Sequence, residues 1–203
     1  MKVKTILLLA LSLLLLGGTV ALVMPLLAQP QPTHGVLLQS PQPLQNFTLT
    51  DTDGERVQLA DLHGQHLLFF FGYTFCPDVC PTTIAELGET VQALGSDGEQ
   101  VQVIMVSVDP ERDTPSRLKQ YTTAFDASFM GLTGTPDELA AVASTFGIFY
   151  EKHDGSAATN YLVDHTATVI VVDPEGYVRM IFPFGTSGQA MAADLRPLLE
   201  IRD

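Results

Sequence analysis

Two apolar segments constrain the fold of this chain more than any other feature of its sequence. LLFFFGY (67–73) is uninterrupted, and VQVIMVSVD (101–109) is nearly so. Each precedes a segment with helix signals, 81–94 after the first and 114–125 after the second. Strands that are apolar throughout are buried on both faces, and their alternation with helices is typical of α/β proteins. The sequence therefore predicts an α/β fold with these two strands at its centre.

The rest of the chain from Phe47 onward continues this pattern. Alternating apolar and polar residues on both sides of Asp53-Gly54 predict an added amino-terminal β-hairpin. The remaining predicted elements are a short strand near 129–132, a helix at 136–147 closed by Gly147, a second hairpin at 167–182 and a final helix at 187–203. Pro197 is expected to disturb the middle of that last helix.

The first 28 residues form a segment of their own. After Lys2 and Lys4, residues 5–28 carry no charge. This length is closer to the about 20 residues of a spanning helix than to the about 7–15 apolar residues of a signal peptide. We therefore predict an uncleaved membrane anchor at 1–28, with cleavage after Ala28 as the alternative. No Lys or Arg follows before Arg56, so the remaining chain is expected on the outer face of a bacterial cytoplasmic membrane.

Residues 29–45 are rich in Pro and Gln, which predicts an extended tether between the anchor and a domain at 46–203. The apolar stretch 36–38 is the part of the tether that could pack against the domain.

The whole chain has a formal net charge of −13. So acidic a surface argues against binding of nucleic acid or anionic lipid, and its simplest role is solubility.

The two cysteines of the chain, Cys76 and Cys80, lie in FGYTFCPDVCPTT (71–83), between the first apolar strand and a helix. Ligands of α/β sheets collect at such strand ends, and a thiol at a helix amino terminus is favoured as thiolate. A disulfide serving only structure would close a loop of about five residues and contribute about 2 kcal/mol. The pair is therefore expected to act in thiol–disulfide exchange or in metal binding.

A metal site needs a third donor, and His165 is the histidine best placed to supply it. It lies in NYLVDHTATVIVV, immediately before a predicted buried strand. Two thiolates and one imidazole make a soft trigonal site that suits Cu(I) and tolerates Cu(II), whereas zinc would need a fourth ligand.

His63 and His66 flank Gly64 in a predicted solvated loop, with secondary copper contacts as the alternative. Residues 109–113 form a charged loop that could border a partner surface.

Four blocks of the chain resemble the SCO/SenC family of copper-binding proteins, which have a thioredoxin-like fold. The blocks lie at 47–83, 106–115, 131–152 and 161–176, in the family's order, and the combination of CPDVCP with VDH is specific. The resemblance implies a copper chaperone for the copper A centre of cytochrome c oxidase subunit II. It also implies that Cys76, Cys80 and His165 are the copper ligands. Asp78 and Asp164 match family positions without a defined role.

The leading interpretation is therefore a membrane-anchored metallochaperone, with another copper chaperone as a candidate donor. The alternative is a thiol-disulfide oxidoreductase in which Cys76 and Cys80 are the redox pair that reduces the copper A cysteines. A peroxide-reducing enzyme ranks last, because no activating Arg lies close in sequence to the cysteines. Metal binding requires His165 and disulfide exchange does not, so this residue discriminates between the first two.

Overall fold

The computed structural model describes residues 32–156 and 160–200. The strands are β1 (Val36–Leu37), β2 (Thr48–Asp51), β3 (Arg56–Gln58), β4 (His66–Gly72), β5 (Val101–Ser107), β6 (Met130–Thr133), β7 (Tyr150–Asp154), β8 (Tyr161–His165), β9 (Val169–Val172) and β10 (Val178–Phe182). The α-helices are α1 (Val79–Leu94), α2 (Pro115–Thr123), α3 (Pro136–Phe146) and α4 (Gly188–Leu199). Short 3-10 helices span Leu59–Leu62 and Gly95–Gln100.

Eight of the strands form one mixed sheet in the order β1-β10-β9-β4-β5-β6-β2-β3. β4 pairs in parallel with β5, and β5 pairs in parallel with β6. A helix connects each of these parallel pairs, as a parallel connection requires. On its other side β4 pairs antiparallel with β9. The predicted α/β arrangement is confirmed, and so are both predicted hairpins, β2–β3 and β9–β10.

Strand β4 lies at the centre of the sheet, and all seven of its residues are buried. Its side chains alternate between the two faces. Phe69 and Phe71 contact the ring of Phe146 on α3, with centroid distances of 4.7 and 5.2 Å. Phe70 points to the opposite face, where its ring contacts that of His165. Because both faces are covered, the sequence of β4 is apolar almost throughout.

The helix ends follow the signals in the sequence. Thr114 and Thr135 each accept a hydrogen bond from a backbone N–H in the first turn of α2 and α3, and Gly147 ends α3 with φ +67°. The expected disturbance at Pro197 is wrong. Helix α4 runs through Pro197 and ends two residues later at Leu199, so the proline lies in the last turn and not in the middle of the helix.

Residues 32–45 pack against the sheet. The carboxylate of Asp194 on α4 accepts hydrogen bonds from the backbone N–H groups of Thr33, His34 and Gly35 at 2.8–2.9 Å. Strand β1 then pairs antiparallel with β10 along the sheet edge. The compact unit therefore begins at Pro32, within the segment predicted as a tether.

The predicted anchor at 1–28 lies outside the described residues, as do residues 29–31 of the predicted tether. Within the part of the chain that the structure describes, no helix is long and apolar enough to cross a membrane.

A second, two-stranded sheet was not predicted. β7 and β8 pair antiparallel from Tyr150↔His165 to Asp154↔Tyr161. The sequence suggested a polar loop at 151–160, because residues 151–154 are all polar or charged. In the structure these four residues are exposed. This hairpin, separate from the main sheet, carries His165 at the end of β8.

Candidate metal centre

The two cysteines lie at the carboxyl end of β4, as the sequence predicted. Cys76 belongs to the loop after the strand, and its N–H donates to the carbonyl of Tyr73 at 3.2 Å. Cys80 is in the first turn of α1, and its backbone N–H points to the sulfur of Cys76 at 3.4 Å. Cys76 is half-buried and Cys80 is fully buried. No disulfide joins the two sulfurs in this arrangement.

The last residue of β4, Gly72, makes room for the sulfur of Cys80. A Cβ atom at this position would lie 2.8 Å from the Cys80 sulfur and 2.7 Å from the ring of Phe70. Both neighbours have 0% exposure, so neither has space to move. A side chain at position 72 would therefore push Cys80 away from its present place.

The imidazole of His165 reaches the cysteine loop from the β7–β8 hairpin. Its Nε2 lies 3.3 Å from the sulfur of Cys80, and its Nδ1 lies 3.3 Å from the carbonyl oxygen of Thr166. A carbonyl only accepts, so Nδ1 carries the proton of a neutral ring and Nε2 offers its lone pair toward the sulfurs. The rings of Phe70 and Tyr73 meet the imidazole edge to face, at 6.0 and 5.9 Å.

The ligand atoms of Cys76, Cys80 and His165 all lie within 4.8 Å of one another. Within residues 32–156 and 160–200, this is the one group of three or more His, Cys, Asp or Glu side chains that converge in this way. The group borders a cleft of about 230 Å³. Its walls are largely apolar and come from the cysteine loop with the start of α1 and from β8 with the residues that follow it: Tyr73, Pro77, Val79, Leu162, Val163 and Ala167.

The two thiols are electrostatically unequal. The hydrogen bond with Cys80 lowers the pKa of Cys76 to about 3, although burial opposes this shift. The same hydrogen bond, together with burial, raises the pKa of Cys80 well above its usual range. The shared hydrogen bond therefore favours the thiolate on Cys76, at the cleft, and the proton on Cys80.

This inequality predicts how the thiols react with iodoacetamide. Between pH 5 and 8, Cys76 should be alkylated at a rate that changes less than about twofold, whereas an ordinary cysteine gains about tenfold per pH unit. Cys80 should stay unmodified in the folded protein because it is buried and protonated. Mass spectrometry of the quenched reaction measures both rates.

The matched control is Cys80→Ala, which removes the donor that lowers the pKa of Cys76. In that variant the alkylation of Cys76 should slow at pH 5 and accelerate steadily toward pH 8. A wild-type rate that already climbs tenfold per pH unit would contradict the assignment of the thiolate to Cys76.

The other residues singled out in the sequence lie at differing distances from this centre. Asp78 and Asp164 border the cleft. Asp164 is exposed, with 78% of its side chain accessible, and pairs with His153 at 3.6 Å.

His66 was expected in a solvated loop, and this is wrong, since it is the first residue of β4 and buried. His63 is exposed and packs on Gly176. Both histidines lie at the opposite end of β4 from the cysteines.

The sequence did not identify the residues that hold the cysteine loop in place. Asp113 is buried, and its carboxylate accepts hydrogen bonds from the Thr74 N–H at 3.0 Å, the Thr74 hydroxyl at 2.6 Å and the Ser107 hydroxyl at 2.7 Å. Burial raises the pKa of Asp113, against the effect of these hydrogen bonds. In the sequence, Asp113 is only an acidic residue soon after a buried strand. Such a residue can equally well cap the next helix, so the sequence alone does not show that it holds the cysteine loop.

Comparison with known protein families and curated proteins agrees with this geometry. The SCO1/SenC family model matches residues 38–200. The SCO2-like protein of Rickettsia conorii is 34% identical over 152 residues, which cover 74% of each chain. The mitochondrial SCO1 homologue of Homo sapiens is 36% identical over 132 residues, which cover 64% of this chain and 44% of that protein. The chain thus matches less than half of the human relative's length.

Solved structures show the same fold. Apo Sco1 from Thermus thermophilus is 41% identical, with a TM-score of 0.73, and the match covers 83% of this chain and 99% of that one. ScoI from Bradyrhizobium japonicum, solved with copper bound, is 39% identical, with a TM-score of 0.69 and coverage of 76% and 98%. BsSco, described as a member of the Sco family of cytochrome c oxidase assembly proteins, shares the fold at 23% identity and a TM-score of 0.64, with coverage of 85% and 100%.

Four observations point to the same family. They are the order of the strands in the sheet, the cysteine pair after β4, the histidine before β9 and the match of the family model to residues 38–200. The fold is the mixed α/β, thioredoxin-like fold of Sco proteins, as the resemblance implied. This chain belongs to the SCO1/SenC family.

Proposed function

We propose that this protein binds one copper ion through Cys76, Cys80 and His165 and acts as a copper metallochaperone. The observation that carries the proposal is the convergence of two thiols and one imidazole nitrogen within 4.8 Å at the edge of an open cleft. Copper is bound in the related ScoI structure of Bradyrhizobium japonicum, which supports copper as the cargo.

The donor set fits copper better than it fits other common metals. Thiolate sulfurs select Cu(I), and imidazole nitrogen suits both oxidation states of copper. Three ligands are too few for a closed structural zinc site, which takes four. The Nδ1 contact with Thr166 orients the ring of His165 so that Nε2 faces the sulfurs, as a ligating histidine requires.

The position of the site also suits delivery of the ion. Cys76 and His165 border the cleft, whereas Cys80 is fully buried behind them. A partner that brings its own thiolates to the cleft can therefore displace these ligands one at a time, and the ion is never released into solvent. We propose the copper A centre of cytochrome c oxidase subunit II as the acceptor. The uncharged segment 5–28 supports a location on the outer face of a bacterial membrane, where another copper chaperone would be the donor.

The inequality of the two thiols favours a second candidate function, reduction of the acceptor's disulfide. The Cys76 thiolate would attack one sulfur of that disulfide, forming a mixed disulfide and releasing the other sulfur as thiolate. Cys80, giving up its proton, would then attack Cys76 and release the second thiol of the acceptor. The cysteine pair ends oxidised, so each turnover consumes one equivalent of an external dithiol reductant.

The test is copper stoichiometry on the full-length chain, purified in detergent, reduced and kept free of oxygen. After loading with Cu(I) and removal of unbound ion, we expect one copper per chain. X-ray absorption should show two sulfur neighbours and one nitrogen neighbour.

The double variant Cys76→Ala/Cys80→Ala is the control, and it should retain no copper. If the wild-type chain retains none either, while its thiols still reduce a disulfide, the metallochaperone is excluded and the oxidoreductase takes its place.

A further inference from the structure

We infer that the five-residue loop Asp109–Asp113, called here the brace, sets the position of His165 relative to the two cysteines. Within it, Arg112 is the positioning residue that joins the β7–β8 hairpin to the cysteine loop. This inference rests on the proposed function, because it concerns the geometry of the same site. The brace itself contributes no ligand to the site.

One end of the brace holds the cysteine loop. Asp113 accepts three hydrogen bonds from Thr74 and Ser107, and Thr74 lies two residues before Cys76. The backbone N–H of Asp113 donates to the carbonyl of Asp109 at 2.9 Å, which closes the brace on itself. The two ends of the brace therefore move as one unit.

Two further residues of the brace, Arg112 and Asp109, hold the hairpin that carries His165. The guanidinium of Arg112 stacks on the ring of Tyr161, with its central carbon 3.6 Å from the centroid. One of its terminal nitrogens, Nη1, donates to the carbonyl of Tyr161 at 3.1 Å. The same guanidinium lies 4.7 Å from the ring centroid of Phe75, the residue before Cys76. Arg112 thus contacts both ligand-bearing segments directly.

Asp109 completes this contact. It has 0% exposure, and its carboxylate accepts a hydrogen bond from the Tyr161 hydroxyl at 2.7 Å and pairs with Arg112 through Nε. A buried carboxylate with two such partners is strongly held, because loss of Arg112 would leave its charge unpaired and loss of the Tyr161 hydroxyl would leave a buried acceptor unsatisfied. Tyr161 is therefore fixed by its ring, its hydroxyl and its carbonyl.

The position of Tyr161 determines that of His165. They are the first and last residues of β8, a strand of five residues paired along its whole length with β7. Such a ribbon is stiff over this short distance, so displacement of Tyr161 displaces the imidazole as well. Outer residues that orient a metal ligand typically contribute about 10–100-fold to metal affinity.

The experiment measures Cu(II) affinity of the full-length chain in detergent, by competition, for Arg112→Lys in the wild-type and His165→Ala backgrounds. The lysine keeps a charge opposite Asp109, so the fold is retained, but it loses the planar stack and the bond to the Tyr161 carbonyl. We expect about a tenfold loss of affinity in the wild-type background. In the His165→Ala background the loss should be less than about twofold, because Arg112 acts through His165.

Arg117→Ala is the matched control. Arg117 stacks on Phe75 at 4.7 Å, as Arg112 does, and within the described residues it makes no ring contact with Tyr161. Its loss should change Cu(II) affinity less than about twofold. Equal losses for Arg112→Lys in the two backgrounds would overturn the inference, since they would mean that Arg112 does not act through His165.

A metal-free measurement separates the brace from the proposed function. In the copper-free chain, amide hydrogen exchange of residues 161–165 should be about tenfold faster in Arg112→Lys than in wild type, and unchanged in Arg117→Ala. Tyr161→Phe, which removes only the hydroxyl bond to Asp109, should give a smaller increase. Unchanged exchange in Arg112→Lys would overturn the brace, whereas absence of copper binding by the wild type would overturn only the proposed function.

Discussion

Replacing His165 with Ala should weaken Cu(II) binding by more than about 100-fold and Cu(I) binding by only about tenfold. The difference follows from the ligands that remain. Two thiolates suffice for the soft Cu(I) ion, whereas Cu(II) also depends on the nitrogen donor. Loss of a residue that merely orients a ligand already costs about 10–100-fold, so loss of the ligand itself should exceed that range. Competition with chelators of known affinity, on the full-length chain, measures both values.

His153→Ala is the matched control for this substitution. His153 lies on the same hairpin, in β7, but its side chain is exposed and pairs with Asp164 rather than with the cysteines. Its loss should leave both affinities within about twofold of wild type. If His165→Ala bound Cu(II) as tightly as His153→Ala does, the three-ligand site would be refuted and the oxidoreductase would be favoured.

Replacing Asp113 with Ala should lower the free energy of unfolding by about 3–5 kcal/mol. The change removes three hydrogen bonds and leaves the donors of Thr74 and Ser107 without their acceptor, and each buried donor left unpaired costs about 1–3 kcal/mol. For a domain of this size, the unfolding midpoint should fall by about 6–20 °C. Thermal unfolding of the copper-free chain, followed by circular dichroism, measures the shift.

The control for Asp113 is Asp126→Ala. Asp126 also accepts hydrogen bonds from a backbone N–H and a hydroxyl, both of Ser128, but it does so in an exposed turn. Water can replace these bonds, so the midpoint should fall by no more than a few degrees. Equal shifts for the two variants would show that burial of Asp113 contributes nothing.

The centre of the fold could be predicted because the relevant residues act locally. β4 and β5 are apolar almost throughout, since both of their faces are covered, and Thr114 and Gly147 mark helix ends through contacts within a few residues. The convergence of Cys76, Cys80 and His165 was also predicted, from a cysteine pair after a buried strand and a histidine before another. These signals need no knowledge of distant contacts.

The β7–β8 hairpin could not be predicted in the same way. Four of the five residues of β7 are exposed, so it lacks the alternation that reveals a half-buried strand. The hairpin is held instead by single contacts far apart in sequence, such as the stack of Arg112 on Tyr161. His66 was misplaced for a related reason, since a polar residue at a strand's first position resembles a loop until the neighbouring strands are known.

The pairing of β1 with β10 affects where the chain can be shortened. β10 has the sequence VRMIF, and β1 covers the backbone edge that would otherwise be unpaired. A fragment that starts at residue 46, the boundary suggested by composition, would lack β1 and present this apolar edge to other molecules. Exposed edges of this kind recruit further strands and promote aggregation. We therefore expect a fragment that starts at residue 46 to self-associate more than one that starts at residue 32.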